Sequence, residues 1–368
     1  MRICIDATSL LLRSAGVKNY VYRWVEALQR ESAGHTVTAF PLIGNIGQLN
    51  HEGSVLSLAQ TLPRLAALHL VNLRFNPLID VLTRGVDVFH ASNQVRNPPR
   101  RPKLTGTLYD MTCLLMPQNH TPGNVRAEHS FADRILKRAD GLISISEHTK
   151  QDTVKLLNID PRKIKVIYPG VPQAFFTVTH SERQRAIQKH LLDRQFILFV
   201  GTVEPRKNLD VLLDAYEQLP MDVRDNFELI AVGPLGWAAG KTVERLRNTA
   251  GVRHLGYVPE ADMPGITAAA TIFVYPSLYE GFGFPVAQSM AAGVPIVTSN
   301  VSSLPEVARD AALLVSPQSI SELRDSMLRL LTSASERQQL AARGREISKE
   351  YTWSNAAAQS VTFFESLF

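Results

Sequence analysis

The sequence predicts an α/β protein with two doubly wound parallel sheets. Short apolar runs alternate with stretches of helical periodicity along most of the chain. The 368 residues exceed what one ordinary core supports, and the alternation starts again after a break near residue 172. Because buried strands separated by helices are typical of parallel sheets with right-handed crossovers, two such series indicate two domains.

The predicted strands are continuous apolar runs, as expected of strands buried on both faces. In the first series they are "RICIDA" (2–7), "DVFHAS" (87–92), "LTGTLYD" (104–110) and "GLISIS" (141–146). In the second series they are "FILFVGT", "FELIAVGP", "ATIFVYPS" and "VPIVTS". Helical stretches such as "YVYRWVEALQRE", "VRAEHSFADRILKRA" and "NLDVLLDAYEQL" lie between several of these runs.

Prolines and a glycine mark the domain boundary. Pro169, Gly170 and Pro172 interrupt regular structure in "VIYPGVPQAFFTVTH", which predicts a first domain over 1–172 and a second over 173–352. The last segment, 353–368, has helical spacing and no strand after it, so we expect a helix that packs back on the first domain. Ligands of parallel sheets bind beyond the carboxyl ends of the strands, and we therefore expect a site in a cleft between the domains.

The composition is that of an ordinary globular protein, with 45% apolar and 20% charged residues. The two cysteines, Cys4 and Cys113, form no Cys-x-x-Cys motif and no disulfide framework, which favours a reducing, cytoplasmic compartment. Asp6 and Arg13 interrupt the apolar start of the chain, so we interpret it as a buried strand and not as a signal peptide. No run of about 18 apolar residues is present to span a membrane.

The charge is unevenly distributed. Residues 1–172 contain 21 Lys and Arg against 13 Asp and Glu, a net charge of +8, whereas 173–368 contain 18 against 21, a net charge of −3. The basic half, which includes "RNPPRRPK" (96–103), suits an anionic membrane surface or a phosphate-bearing acceptor, although a solvated face explains it equally well. Peripheral contact with the inner face of the membrane is therefore left open. No basic run interleaved with aromatic residues indicates nucleic acid.

One acid stands on a glycine-rich turn between a predicted strand and a predicted helix. Glu280 lies in "YEGFGFPVAQSMAAGVPIVTSN" (279–300), where Gly281 and Gly283 allow close approach of a ligand and Pro285 suits the first helical position. Amides at a helix start can bind phosphate, which a carboxylate would repel unless it faces another group. Sugar hydroxyls are natural partners for the carboxylate, so the turn favours a sugar attached to a phosphate as ligand. Taken by itself, a glycine-rich turn before a helix is also consistent with an ordinary tight turn that binds nothing.

Two further stretches suit a diphosphate. Arg206 and Lys207, in "FVGTVEPRKNLDVLLDAY", follow a strand end, where the Arg fork and the Lys point charge can neutralise phosphate oxygens. A solvated surface pair is the alternative interpretation. Gly16, in "LLLRSAGVKNY", lies between the first strand and the first helix, where a phosphate can approach the backbone.

Taken together, these stretches resemble a known family. "RKNLDVLLDAY", "LGYVPEADM", "YPSLYEGFGFPVAQSMAAGVPIVTSNVSSLPEV" and "DAALLVSP" are similar to the donor-binding domain of glycosyltransferase family 4. Its members are retaining enzymes with two Rossmann-like domains facing a central cleft, the GT-B architecture. The resemblance covers essentially the whole chain and is strongest over 197–317. It implies a hexosyltransferase of polysaccharide biosynthesis that uses a nucleotide diphosphate sugar.

The resemblance assigns a role to each matching residue. Glu280 would bind hydroxyls of the donor sugar over its reacting face, and Arg206 and Lys207 would hold the diphosphate. Gly16 would approach the same diphosphate. The remaining donor-binding positions that it implies are Tyr257 and Val258 at the base, Gly281, Gly283 and Phe284 at the helix start, and Gln288 at the ribose.

The chain departs from the family pattern at three positions. Gln288 stands where the family has a second glutamate on the ribose, a loss of charge-assisted bonding worth roughly 1 kcal/mol. Tyr109–Asp110 stands where the family often has His-Asp, so Asp110 would orient the acceptor or the sugar without a titratable imidazole. The family commonly has two glycines at Ala15–Gly16. His90 could lie near Asp110, but a lone histidine is more often structural.

The sequence therefore predicts transfer of a hexose to a glycan or a lipid-diphosphate-linked acceptor, with Glu280 and Asp110 as catalytic candidates. GDP-mannose is favoured as donor, and UDP-linked sugars remain open. No Asp-x-Asp motif occurs, so neither a metal nor another cofactor is expected. The alternatives are a catalytically weakened nucleotide-sugar binding protein, suggested by Gln288 and Tyr109, and a sugar phosphorylase or synthase of similar architecture.

Overall fold

The computed structural model describes residues 1–11, 16–32, 34–41, 46, 58–73, 77–92, 94–236 and 240–368. It divides into two compact units, Met1–Gly170 with Trp353–Phe368, and Val171–Thr352. Each unit contains one parallel sheet with flanking helices, which confirms the predicted α/β fold. Among the described residues, none of the helices has both the length and the apolar character needed to cross a membrane.

The sheet of the first unit has the order β2-β1-β3-β4-β5-β6, with every neighbouring pair parallel. Its strands are β1 (Arg2–Asp6), β2 (Thr36–Phe40), β3 (Val88–Ala91), β4 (Lys103–Leu108), β5 (Gly141–Ser144) and β6 (Ile164–Val166). Its helices are α1 (Gly16–Glu31), α2 (Leu58–Asn72), α3 (Leu78–Leu82), α4 (Thr112–Leu115), α5 (Pro122–Arg134), α6 (Glu147–Leu157) and α16 (Trp353–Glu365).

The C-terminal helix α16 packs against α1 within the first unit. The indole Nε1 of Trp24, on α1, donates to Ser360 Oγ at 3.0 Å, and the ring centroids of Trp24 and Phe364 lie 6.3 Å apart. Trp24, Ser360 and Phe364 are all fully or almost fully buried. The apolar spacing of the last segment thus buries one face of α16 in the core of the first unit.

The sheet of the second unit has the order β12-β11-β10-β7-β8-β9 and is also parallel throughout. Its strands are β7 (Gln195–Val200), β8 (Phe227–Val232), β9 (Val252–Gly256), β10 (Ile272–Tyr275), β11 (Ile296–Ser299) and β12 (Ala312–Val315). Its helices are α7 (His180–His190), α8 (Leu209–Glu217), α9 (Met221–Asn226), α10 (Gly240–Asn248), α11 (Met263–Ala269), α12 (Phe284–Ala292), α13 (Leu304–Ala308), α14 (Ile320–Thr332) and α15 (Ala334–Ser348).

The eight strands predicted from apolar runs form the interior of the two sheets, and the structure adds four more. The added strands are β2, β6, β9 and β12, which are the edge strands of their sheets. An edge strand borders solvent, so its sequence need not be a continuous apolar run. In β2, for example, Thr36 and Thr38 are exposed while Phe40 is buried.

In each sheet there is one point from which successive strands are added on opposite sides, so that the strand order reverses. In the first unit this point lies between β1 and β3, and in the second it lies between β7 and β10. Loops that leave two adjacent strands on opposite faces open a crevice there, which is where ligands of doubly wound sheets bind. The loops after β7 and β10 are therefore the first place to look for a site in the second unit.

The carboxyl edge of the second sheet is tightly packed at Gly233, which directly follows β8. The Gly233 N–H donates to the carbonyl oxygen of Gly256, and the Gly201 N–H donates to that of Val232, both at 2.8 Å. Gly233 has a φ of +141°, and a Cβ there would lie 2.1 Å from the carbonyl oxygen of Gly201. Only glycine allows the two backbones to approach this closely.

We expect Gly233→Ala to lower the free energy of unfolding by at least about 2 kcal/mol, because it adds both a clash and backbone strain. Gly240→Ala, at the start of α10 with no atom within 4 Å of its added Cβ, is the matched control. It should change stability by less than about 1 kcal/mol. Urea unfolding of both variants checks this, and equal stabilities would contradict the packing described for Gly233.

Candidate functional site

The loops after β7 and β10 meet at the switch point of the second sheet. The Leu278 N–H donates to the carbonyl oxygen of Arg206 at 2.9 Å. Asn208 Nδ2 donates to the carbonyl oxygens of Pro276, at 3.0 Å, and of Pro317, at 2.6 Å. These bonds join the two loops into one rigid element, so the side chains on them have defined positions relative to one another.

The loop after β7 presents two cations. A short 3-10 helix spans Pro205–Lys207, and Asn208, in the left-handed conformation at φ 58°, leads directly into α8. The side chains of Arg206 and Lys207 are only 18% and 11% exposed. They are not a solvated surface pair, which was the alternative interpretation of this stretch.

The loop after β10 positions Glu280 through its backbone. The Glu280 N–H donates to Ser302 Oγ, and Ser303 Oγ donates to the Glu280 carbonyl oxygen, both at 2.9 Å. Gly283 follows at a φ of +94°, where a Cβ would lie 2.8 Å from Leu304 Cδ2. Helix α12 then begins at Phe284. Pro285 is therefore its second residue, whereas the sequence had predicted it at the first position.

The side chain of Glu280 lies at the centre of a buried charged cluster. Lys207 Nζ is 2.6 Å from Glu280 Oε1, and Arg206 Nη1 is 3.1 Å from the same oxygen. Tyr275 Oη donates to this oxygen at 3.0 Å and Ser277 Oγ at 2.7 Å. Three hydrogen-bond donors and the ion-paired Arg206 thus converge on one carboxylate oxygen, and we call these five residues the Glu280 cluster.

The cluster keeps its carboxylate ionised. Burial alone would raise the pKa of Glu280, but the charges of Lys207 and Arg206 and the hydrogen bonds outweigh it and lower the pKa to about 2. The same environment raises the pKa of Tyr275 well above its ordinary value, mainly through burial and then through the Glu280 charge. The Tyr275 hydroxyl therefore stays neutral and acts as a donor to Glu280.

The two cations of the cluster make further hydrogen bonds that fix their positions. Lys207 Nζ donates to Tyr275 Oη at 2.7 Å, so Lys207, Tyr275 and Glu280 form a closed triangle of hydrogen bonds. Arg206 Nη1 donates to the Tyr279 carbonyl oxygen at 2.6 Å, and Nη2 donates to Glu204 Oε1 at 2.8 Å. The guanidinium is thereby held in one orientation beside Glu280.

The other predicted donor-binding residues of the second unit follow strand ends or lie just before or on α12. Tyr257 comes directly after β9 and is 63% exposed, whereas the neighbouring Val258 is buried. Gln288 lies on α12, two turns after Glu280, and is half-buried. Gly281 is buried between Glu280 and the start of α12. The structure places these residues without a ligand, and their roles remain predictions.

Asp110, in the first unit, follows β4 and accepts hydrogen bonds from Thr112, the first residue of α4. Its Oδ1 accepts hydrogen bonds from Thr112 N at 2.9 Å and from Thr112 Oγ1 at 2.6 Å. The neighbouring Tyr109 packs edge-on against Tyr20, with ring centroids 5.2 Å apart. These two bonds fix the position of the carboxylate at the start of α4. Asp110 is half-buried, so part of it still faces solvent.

His90 is a structural residue, as its sequence context had suggested. It is fully buried, with Nδ1 at 2.9 Å from Thr105 Oγ1 and Nε2 at 2.8 Å from Thr107 Oγ1. Burial lowers its pKa to about 3, so the ring is neutral. Gly16 begins α1, and Ala15, its partner in the predicted phosphate loop, lies outside the described residues.

Sequence reasoning missed most partners of Glu280. It did not predict that Lys207 and Arg206 bind Glu280 directly, nor that Tyr275 and Ser277 belong to the cluster, nor that Glu204 pairs with Arg206. One signal was available, because Tyr275 and Ser277 stand five and three residues before Glu280, at the end of the same strand. Pairing with Lys207 depends on the adjacency of β7 and β10, which are far apart in the sequence.

Comparison with known sequences finds relatives for both halves of the chain. The family model described as "Glycosyl transferases group 1" matches residues 180–347, and "Glycosyltransferase Family 4" matches residues 14–175. An O-antigen chain mannosyltransferase B of Escherichia coli is 34% identical over 284 residues, 76% of this chain and 74% of that protein. The serotype-specific mannosyltransferase WbdA of Escherichia coli is 27% identical over 63% of this chain, which spans only 29% of WbdA.

Solved structures share the two-unit fold. The sucrose-phosphate synthase of Thermosynechococcus elongatus superposes with a TM-score of 0.75 at 20% identity, over 100% of this chain and 98% of that one. Anabaena Alr3699/HepE, crystallised in complex with UDP-glucose, gives a TM-score of 0.71 at 18% identity, over 98% and 99% of the two chains. At these identities the similarity shows the fold alone, the GT-B fold.

The two models together cover most of the chain, and the mannosyltransferase B relative covers more than two thirds of it at 34% identity. The chain belongs to the glycosyltransferases, of group 1 over its second unit and of family 4 over its first.

Proposed function

We propose that the protein is a retaining hexosyltransferase that transfers mannose from GDP-mannose to a glycan or a lipid-diphosphate-linked acceptor. The observation that carries the proposal is the Glu280 cluster, in which an ionised carboxylate and two cations converge at a switch point beside a helix start. The choice of mannose is supported by the relatives, which are named as mannosyltransferases. UDP-linked sugars are the alternative donors, because the structurally similar Alr3699/HepE was crystallised in complex with UDP-glucose.

In the proposal, Glu280 binds the hydroxyls of the donor sugar. A carboxylate has about four acceptor positions over its two oxygens. The described contacts of its side chain converge on Oε1, and we assign Oε2 to the sugar. Because the carboxylate is already ionised and held by Lys207, it does not have to reorganise when the sugar binds.

The cations supply the charge that the leaving diphosphate needs. An ammonium has three donors, and Tyr275 and Glu280 account for two of those of Lys207, so we assign the third to a phosphate oxygen. Arg206 adds a second positive charge beside it. The amides of Gly281, Gly283 and Phe284 and the start of α12 favour an anion at the same place. Positive charge from the chain itself, together with the lack of an Asp-x-Asp motif, supports a reaction without a metal.

The proposed reaction retains the anomeric configuration. The bond between the anomeric carbon and the diphosphate oxygen breaks, and its electron pair leaves with the nucleoside diphosphate. The acceptor hydroxyl oxygen bonds to the anomeric carbon on the same face, and its proton passes to a phosphate oxygen of the leaving group. Asp110 would orient the acceptor hydroxyl or the sugar, and Tyr257, Val258 and Gln288 would bind the nucleoside.

Two alternatives are tested by turnover. A catalytically weakened nucleotide-sugar binding protein is suggested by Gln288 and Tyr109, and it would bind the donor without transferring the sugar. A phosphorylase or synthase would require inorganic phosphate or a sugar phosphate as acceptor. Release of nucleoside diphosphate with donor alone, with donor plus a glycan acceptor, and with donor plus phosphate or a sugar phosphate distinguishes the three functions.

We further propose that the protein contacts an anionic membrane peripherally, where lipid-linked acceptors are located. The support is the net charge of +8 over residues 1–172, against −3 over the rest of the chain.

The first prediction from this proposed function concerns Arg206. Arg206→Ala should weaken donor binding about 10- to 100-fold, because it removes charge-assisted bonds worth about 1.5–3 kcal/mol. Calorimetric titration with GDP-mannose and UDP-glucose measures this. Arg324→Ala, on α14 in the same unit, is the control because Arg324 pairs only locally, with Asp325. Unchanged affinity in Arg206→Ala would remove Arg206 from the donor site.

The second prediction concerns Gln288. If its amide binds the ribose, Gln288→Glu should strengthen donor binding about fivefold, since an ionised acceptor bonds hydroxyls more strongly by roughly 1 kcal/mol. Gln288→Ala should weaken binding by a similar factor. The same titrations report both variants, and a donor affinity that is indifferent to both would show that Gln288 lies outside the ribose site.

A further inference from the structure

Exposed apolar side chains are concentrated on one part of the first unit. Leu62, Leu70 and Leu73, on α2 and just after it, are 61%, 45% and 45% exposed, and Val81 and Leu82, on α3, are 66% and 40% exposed. We call these five residues the apolar patch. A monomeric protein exposes single apolar residues routinely, but several of them on two helices that contact each other, as α2 and α3 do, indicate an interaction site.

The patch is the outward face of helices that are otherwise well packed. On α2, Val71 is fully buried in the core cluster of the first unit, and Leu68 packs against that cluster. Leu62, Ala66 and Leu70 follow at intervals of four residues on the exposed side. On α3, Ile79 is buried in the same core while Val81 and Leu82 point outward. The outer face of a solvated helix is normally polar, so this face is unusual.

A basic loop is fixed to both helices beside the patch. Asn97 Nδ2 donates to the carbonyl oxygens of Val71 and Leu73, and Asn72 Oδ1 accepts from the Arg96 N–H at 2.8 Å. The Arg100 N–H donates to Asp80 Oδ1 at 2.8 Å. The loop therefore carries the exposed side chains of Arg96, Arg100 and Arg101 to the C-terminal end of α2 and to α3.

The surface has little negative charge to offset these arginines. The sequence contains no Asp or Glu between Glu52 and Asp80, and none between Asp87 and Asp110. Asp80, whose side chain is 25% exposed, accepts a hydrogen bond from the Arg100 N–H and lies 3.9 Å from Arg100 Nε, so it offsets part of the Arg100 charge. The apolar patch is thus bordered by positive charge, in the half of the chain that has a net charge of +8 over residues 1–172.

We propose that the apolar patch and the three arginines form the surface by which the protein docks on an anionic phospholipid membrane. The leucines and valine enter the boundary between headgroups and acyl chains, and the arginines bind lipid phosphates. This inference rests on the proposed function in one respect, since it places the enzyme where a lipid-linked acceptor is found. A second copy of the chain is a poorer occupant, because a twofold contact would set the arginines of the two copies against each other.

The test is flotation of the full-length protein with vesicles of phosphatidylcholine alone or mixed with phosphatidylglycerol, at low and physiological salt. The charge variant is Arg96→Gln/Arg100→Gln/Arg101→Gln, and the apolar variant is Leu70→Ser/Val81→Ser. Each basic residue near a membrane contributes about fivefold to binding, so the charge variant should bind anionic vesicles more than about tenfold more weakly. The apolar variant should lose about tenfold as well.

Met221→Ser/Leu235→Ser is the matched control, because these apolar residues of the second unit are 72% and 51% exposed. It should float like the unaltered protein. The charge, apolar and control variants should all keep the thermal unfolding midpoint and the nucleotide affinity of the unaltered protein. Lys207→Ala should lose donor binding and still float, which separates failure of the donor site from failure of the membrane surface.

Three outcomes would overturn the proposal. The unaltered protein could fail to float with anionic vesicles at physiological salt, or the control variant could lose binding as strongly as the other two. Light scattering could instead show a dimer that the apolar variant converts to a monomer, without flotation. That result would assign the patch to a second copy of the chain.

Discussion

The Glu280 cluster is the interaction on which the second unit's site depends. A charged glutamate that is only 7% exposed would be strongly destabilising by itself. It is tolerated because Lys207, Tyr275 and Ser277 donate to its carboxylate and Arg206 forms an ion pair with it. Removing one partner of such a buried pair typically costs about 3–5 kcal/mol, because the other charge is left uncompensated. The cluster therefore both joins the two loops and fixes the electrostatics of the site.

The topology of the sheet makes this cluster possible. Lys207 and Glu280 are 73 residues apart in the chain, but β7 and β10 are hydrogen-bonded neighbours. Their loops leave the same edge of the sheet at the point where the strand order reverses, which opens space for a ligand. The glycine turn then leads into α12, whose first amides favour an anion. Carboxylate, cations and helix start thus come together because two adjacent strands end at one place.

Much of the fold and part of the site could be predicted from the sequence. Interior strands such as β7 and β10 are buried on both faces and are continuous apolar runs, whereas edge strands such as β2 and β9 are not and were missed. Glu280, Arg206 and Lys207 were chosen as candidates because strand ends and helix starts limit where ligands bind. Their direct pairing was not, because it depends on which strands are neighbours. Which leucines of α2 are exposed could not be predicted either, because it depends on which side of the helix packs.

The most direct test of this account is the ionisation of Glu280. Carbon-13 NMR of glutamate side-chain carboxyls, titrated against pH and assigned with Glu280→Gln, measures it in the ligand-free protein. The lowered pKa predicts that the Glu280 carboxylate stays ionised through pH 4.5 and takes up its proton only as the pH falls toward about 2. Stability contributed by this group should be lost over the same range. A midpoint at the ordinary glutamate value of 4.5 would show that Lys207 and Arg206 do not hold the carboxylate and would contradict the account.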